Sequence, residues 1–134
     1  MAEKSLDAIV VLMSAASREE AARLAEMLVG ARLAACVQIM PEMESIYHWE
    51  GAIRRDPEIL LLAKTTRGRF EELEREVRAL HSYETPEIIA LSITAGSAPY
   101  LDWLGRTVEP QRVAQPNAQP ENPPHSKSAT TNKG

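Results

Sequence analysis

The order of its apolar segments constrains the fold of this chain more than any other feature. Residues 8–13 form a continuous apolar run rich in β-branched side chains, which is typical of a strand that lies centrally in a sheet. Further segments have the composition or alternation of strands, at 33–40, 43–50, 58–65 and 87–94. Gly51 marks a turn between the middle two, so we expect a long hairpin, with turn-prone Asp56 and Pro57 before its second strand.

Three helices are expected between and after these strands. Ser17 stands three residues before Glu20, which is the spacing of a capping box at a helix start. Apolar residues then recur at helical intervals until Gly30, which we expect to end this first helix in the left-handed conformation. The second helix has an apolar face formed by Phe70, Leu73, Val77 and Leu80. A short third helix follows the last strand, and we expect Gly105 to stop it.

The predicted order is β-α-β-β-α-β with a C-terminal helix, an α+β fold of the ferredoxin-like type. Both long helices then pack on one face of an antiparallel sheet. The opposite face and the hairpin are left exposed in a single copy, which indicates an oligomer. Residues 1–110 are assigned to this domain, whereas 111–134 are rich in proline and polar residues and are expected to be disordered.

Charge and composition exclude several classes of protein. The whole chain has a net charge of -4, and residues 111–134 carry three basic residues and one acidic residue, which leaves the predicted domain at -6. An acidic domain repels phosphate backbones, so we expect no nucleic-acid partner. The sequence has neither a signal-peptide pattern nor an apolar run of about 20 residues, so we expect a cytoplasmic protein with no membrane partner.

No feature of the sequence predicts catalysis. The single Cys36 excludes an intrachain disulfide, and its small apolar neighbours indicate a buried hydrophobe rather than a nucleophile. The chain contains no Gly-Xaa-Ser-Xaa-Gly elbow, phosphate loop or dinucleotide fingerprint. We therefore expect a binding protein and not an enzyme.

Five ordered segments resemble the CutA family of small proteins linked to divalent-cation tolerance. These segments are RLAACV at 32–37, SIYHWEG at 45–51, KT at 64–65, HSYETPEII at 81–89 and YLDWL at 100–104. The resemblance covers about the first 108 positions, nearly all of the predicted domain. It implies a ferredoxin-like subunit, similar to the PII nitrogen-regulatory proteins, in a tight homotrimer whose sheets meet edge to edge. It also implies binding of copper or other divalent cations.

Two positions depart from the pattern of the family. Ser82 stands where the family usually has the proline of His-Pro-Tyr, so the loop lacks a residue that would stiffen it. Met13 stands at the end of the first strand, where some members have a cysteine. A thioether can bind Cu(I) but is a poor ligand for Cu(II) or zinc, so this chain lacks one soft ligand.

The candidate metal ligands are His81, Glu84 and Glu87, which offer one imidazole and two carboxylates within one short segment. Such groups suit Cu(II) or another divalent cation, which the fold itself should not require. The structural alternative is that His81 ends the second helix, where its charge suits the helix dipole, and that Glu87 pairs with a cation across the sheet.

A second candidate site is a polar pocket between subunits for a small anionic ligand. Lys64 ends an apolar strand and is expected to be partly buried, with Glu50 as its partner. Tyr83 and Trp103 could line that pocket, together with Tyr47 and Trp49. The structural alternative is an ordinary ion pair with aromatic residues in a subunit interface.

Three functions therefore remain open from the sequence. The first is a trimeric protein that binds divalent metal ions, the second is a PII-like sensor of a small metabolite, and the third is a trimeric scaffold for partner proteins.

Overall fold

The computed structural model describes residues 7–110, which form five strands and three helices. In chain order they are β1 Ala8–Ala15, α1 Arg18–Gly30, β2 Cys36–Ile39, β3 Met43–Trp49, β4 Ala52–Thr66, α2 Arg67–Leu80, β5 Ile88–Ser92 and α3 Ala98–Val108. The ferredoxin-like order predicted from the sequence is confirmed, and the predicted segments at 33–40 and 43–50 form β2 and β3, which together take the place of the second strand of that order. The expectation for 111–134 lies outside the described residues.

The long strand β4 organises the sheet. It pairs antiparallel with β1, β2 and β3, and β1 pairs in turn with β5, which gives the order β2-β4-β1-β5. The first half of β4 pairs with β3 alone, so the two form a hairpin that extends beyond the rest of the sheet. Glu50 and Gly51 at its tip both have positive φ, 47° and 79°, as a tight two-residue hairpin turn requires.

The turn predicted at Asp56 and Pro57 is wrong, because both residues lie inside β4. Pro57 is opposite Glu44 of β3. β4 has a strand partner on only one side at this point, so a residue without an N–H group can be accommodated.

One face of the sheet is covered by α1 and α2 and holds the main core. Alternate residues of β1 and β4, among them Met13 and Leu61, are fully buried there. Leu24 and Leu28 of α1 and Val77 of α2 pack onto them. Each such side chain contributes about 1.5–3 kcal/mol to folding when it leaves water. This buried layer lies on the face of the sheet that the sequence predicts to be covered by helices.

The ends of α1 and α3 differ from the sequence expectations. Gly30 ends α1, but the left-handed residue is Arg32, with φ 57°. The backbone N–H groups of Leu33 and Ala34 both donate to the carbonyl oxygen of Leu28, at 2.9 and 3.2 Å, and this closes the helix. α3 continues through Gly105 to Val108, so that glycine does not stop it.

The second face of the sheet is covered at one end only. There α3 packs on Ala8 and Ala35 through a small cluster that includes Leu101, Leu104 and Val108. Beyond α3 the face is apolar but open, and Ile89 and Leu91 of the edge strand β5 are each 50% exposed. The predicted exposure of this face in a single copy is confirmed.

Candidate functional site

A cavity of about 630 Å³ lies between the β3–β4 hairpin and the loop that follows α2. We call it the hairpin cleft. Its aromatic lining consists of Tyr47, Trp49 and Tyr83, and its charged lining consists of Glu58, Glu84, Glu87 and Arg54. Three carboxylates against one guanidinium make the cleft acidic, which favours a cation over an anionic ligand.

The loop at residues 81–84, which forms one wall of the cleft, starts from a buried histidine. The side chain of His81 is 0% exposed, and its Nε2 atom lies 2.7 Å from the carbonyl oxygen of Ser14. Its Nδ1 atom accepts the backbone N–H of Tyr83 at 3.0 Å. A backbone N–H can only donate, so the ring proton must be on Nε2, where it is donated to Ser14. His81 is therefore a neutral ring with both nitrogens engaged.

A buried carboxylate of α1 holds the next residue of this loop. The side chain of Glu20 is 4% exposed; its Oε1 atom accepts the N–H of Ala16 at 3.0 Å and its Oε2 atom accepts the N–H of Ser82 at 2.7 Å. Burial alone would raise the pKa of Glu20, but the hydrogen bonds from Ala16 and Ser82 bring it below its ordinary value. Half of the expected capping box is present, since Ser17 Oγ accepts the N–H of Glu20 at 3.1 Å, whereas the Glu20 carboxylate accepts from Ala16 rather than from Ser17.

The two phenols of the cleft are neutral donors. Burial and the neighbouring carboxylate of Glu58 raise the pKa of Tyr83 to about 12. The hydroxyl of Tyr47 donates to Asp56, and this hydrogen bond is the largest cause of the raised pKa of Tyr47. The cleft therefore presents carboxylates and neutral hydroxyls near neutral pH.

The three predicted metal ligands lie in the segment between α2 and β5 but do not converge. Glu84 and Glu87 line the cleft and are exposed, whereas His81 lies beneath the loop. Within residues 7–110, no three His, Cys, Asp or Glu side chains stand close enough to hold a metal ion. His81 would have to give up a hydrogen bond to ligate a metal, so its role as a ligand stays a prediction.

Of the predicted pocket residues, the aromatic side chains of Tyr47, Trp49 and Tyr83 line the cleft, whereas Lys64, Glu50 and Trp103 do not. The ammonium of Lys64 donates to Gln38 near one end of β4, whereas Glu50 lies at the hairpin tip beyond the other end. At about 3.3 Å per residue, the strand separates them by about 40 Å, so the expected pair does not form within one chain. Trp103 of α3 contacts Tyr100 instead, with ring centroids 5.5 Å apart.

Sequence reasoning missed Arg54 and Glu58 as lining residues. Both lie on the same face of β4 as Asp56. Their cross-strand partners on that face of the sheet are alternate residues of β3, among them Tyr47. The period-two alternation would have indicated them if the strand had been continued through Pro57.

Comparison with known proteins decides the family. Residues 9–107 match the family described as CutA1 divalent ion tolerance protein. The chain belongs to the CutA1 family. The divalent-cation tolerance protein CutA of Thermus thermophilus is 52% identical over 95 residues, which are 71% of this chain and 92% of that protein. The chloroplastic CutA of Arabidopsis thaliana is 46% identical over 101 residues, which are 75% of this chain and 56% of that protein.

Solved CutA structures share the fold. The Thermus thermophilus protein aligns with a TM-score of 0.75 and 48% identity, over 76% of this chain and 99% of that one. A protein from Archaeoglobus fulgidus, described as a periplasmic divalent cation tolerance protein, aligns with a TM-score of 0.74 and 41% identity, over 76% and 99%. These names describe tolerance proteins rather than enzymes. They include chloroplastic and periplasmic forms, so a cytoplasmic location stays a prediction.

Within residues 7–110, no helix is long and apolar enough to cross a membrane.

Proposed function

We propose that this chain acts in divalent-cation tolerance by binding a metal ion weakly in the hairpin cleft. The observation that carries the proposal is that Glu58, Glu84 and Glu87 line one cavity in a member of a family named for tolerance of divalent ions. Oxygen ligands with an occasional imidazole follow the ordinary order of affinity, in which Cu(II) binds more tightly than zinc or nickel. Copper(II) is therefore the ion that we expect to bind most tightly.

The weakness of the site follows from the state of its ligands. Glu84 and Glu87 are exposed and therefore well hydrated in the free protein. His81, the expected nitrogen ligand, must first release the carbonyl of Ser14 or the N–H of Tyr83. Each exchange costs a hydrogen bond that the free protein already makes. The buried core under α1 and α2 does not include these ligands, which supports the expectation that folding does not require the metal.

We also propose that the protein is a homotrimer. Exposed apolar side chains support this, because they lie on the open sheet face and on the hairpin, where Ile53 is 72% exposed and Trp49 is 50% exposed. Such surface is usually covered by another protein, and a closed cyclic assembly covers it without leaving a free edge. A neighbouring copy would also supply metal ligands that one chain does not bring together.

The size and walls of the cleft favour a second candidate function, the sensing of a small metabolite. A volume of about 630 Å³ lies within the range of about 300–1,000 Å³ that is usual for small-molecule sites. The aromatic rings of Tyr47 and Trp49 offer apolar walls. The acidic lining makes an amine-bearing molecule a better fit than the anionic ligand expected from the sequence.

A single preparation of the tag-free chain distinguishes the two functions. After equilibrium dialysis against micromolar Cu²⁺, the copper content of the protein compartment is compared with that of the outer solution. A parallel sample with chelator is screened for thermal stabilisation by small amines and by small anions. Stoichiometric copper supports the metal function. Absence of copper with stabilisation by an amine would replace it with the metabolite function, and absence of both would contradict the two proposals.

A further inference from the structure

We propose that Glu20 is a positioning residue of the hairpin cleft: from α1 it fixes the loop at residues 81–84, and thereby the cleft wall formed by Tyr83 and Glu84. The inference rests on the proposed function only in taking this cleft as the binding site. The contacts that position the wall lie within the chain.

The two carboxylate oxygens of Glu20 have different partners. Oε1 accepts the N–H of Ala16, at the start of its own helix, while Oε2 accepts the N–H of Ser82, far along the chain, at 2.7 Å. Glu20 is buried, and hydrogen bonds to an ionised acceptor are about twice as strong as those between neutral groups. The side chain therefore ties the loop to the end of β1 and the start of α1.

The backbone at the start of the loop is held by side chains rather than by strand pairing. It leaves α2 at His81, and no strand pairing is present again until β5 begins at Ile88. Its first N–H groups are satisfied by side chains, that of Ser82 by Glu20 and that of Tyr83 by Nδ1 of His81. Both hydrogen bonds are partly buried, where an unpaired N–H group is costly, so these two side chains restrain the path of the loop at this point.

The residue at position 82 decides whether Glu20 can hold the loop by a backbone hydrogen bond, and Ser82 has the N–H group that this bond needs. The usual pattern of the family has a proline here, which has no N–H to donate and stiffens the backbone by itself. His81 has φ -73° and ψ 142°, which is the extended region that a residue before proline adopts. The conformation of His81 is therefore compatible with a proline at the next position, and the bond from Ser82 to Glu20 supplies the restraint that the ring would give.

The test compares Glu20→Gln with Ser17→Ala, a control that removes the capping hydrogen bond from the backbone N–H of Glu20 but neither hydrogen bond of its carboxylate. Hydrogen exchange of the Tyr83 amide is followed by NMR in the full chain with chelator present. Glu20→Gln should speed this exchange by at least about tenfold, as expected for the loss of a hydrogen bond to a charged acceptor. Ser17→Ala should leave it unchanged relative to the core amides. Equal exchange in wild type and Glu20→Gln would overturn the proposal.

The double variant Glu20→Gln/Ser82→Pro provides a rescue. Proline restores the stiffness of the loop without the carboxylate, so the Tyr83 amide should regain its wild-type protection. If Glu20→Gln alone does not fold but the double variant does, the positioning role is supported. If neither folds, or if proline restores nothing, Glu20 serves only the stability of α1 and the proposal fails.

Copper binding is measured on the same variants and separates this inference from the proposed function. Glu20→Gln should weaken Cu²⁺ binding and the proline rescue should restore it. If wild type binds no copper, the metal function fails, whereas the exchange experiment still decides the role of Glu20.

Discussion

Nε2 of His81 lies 2.7 Å from the carbonyl oxygen of Ser14, so the C-terminal end of α2 is held against the C-terminal end of β1. Ser14 itself lines the hairpin cleft, directly beside the loop that His81 begins. The histidine that the sequence marks as a metal ligand is therefore also part of the framework of the cleft. Its proposed role as a ligand and its structural role can be separated by experiment.

Replacing His81 by alanine should destabilise the protein even when no metal is present. The change leaves a cavity at a fully buried ring and removes the partners of the Ser14 carbonyl and the Tyr83 N–H. We expect a loss of about 2–4 kcal/mol. Urea unfolding with chelator measures it. An unchanged free energy of unfolding would mean that His81 has no structural role.

Stability should fall in acid because of Glu20. Its folded pKa lies below the ordinary value of 4.5, so the carboxylate contributes stability that is fully present above about pH 4.5. This contribution is lost as the pH falls through the lower folded pKa. The free energy of unfolding of Glu20→Gln should therefore change less between pH 6 and about pH 3 than that of wild type. Glu26→Gln, at an exposed position of the same helix, should follow wild type.

Stability should also fall in alkali because of Tyr100. Burial and a contact of 3.4 Å with Sγ of Cys36 raise the pKa of Tyr100 above its ordinary value of 10. The neutral phenol contributes stability that is present below about pH 10 and is lost as the pH rises towards the folded pKa. Urea unfolding at pH 8 and about pH 10.5 should show a smaller decrease for Tyr100→Phe than for wild type. An equal decrease would contradict the assignment to this residue.

A charge on the hairpin should break the proposed trimer. Ile53 is 72% exposed in the single chain, and burial of an unpaired carboxylate there is costly. Ile53→Asp should give a monomer mass in light scattering, while Val29→Asp, on the exposed part of α1, should keep the wild-type mass. Identical masses for all three proteins would place the interface elsewhere.

The sequence predicts the fold of this chain better than its site, for physical reasons that particular residues show. Periodicity reports which face of an element is buried, so β1, α1 and α2 could be placed from apolar residues alone. It reports nothing about pairing between distant segments, and the bond from Ser82 to Glu20 joins residues 62 positions apart. The first half of β4 was not predicted as strand because of Pro57. Proline indicates a turn unless the strand is known to lack a partner on one side at that point.

Isothermal titration of Cu²⁺ into the tag-free protein at neutral pH tests the central claim most directly. Wild type and Glu26→Gln should bind with equal, weak affinity, whereas Glu87→Gln should bind at least about tenfold more weakly because it loses a charged oxygen ligand of the cleft. Binding should also weaken as the pH falls, because metal ligands must be deprotonated. Equal affinity in wild type and Glu87→Gln, or no heat of binding in wild type, would contradict the proposal that this cleft holds the metal.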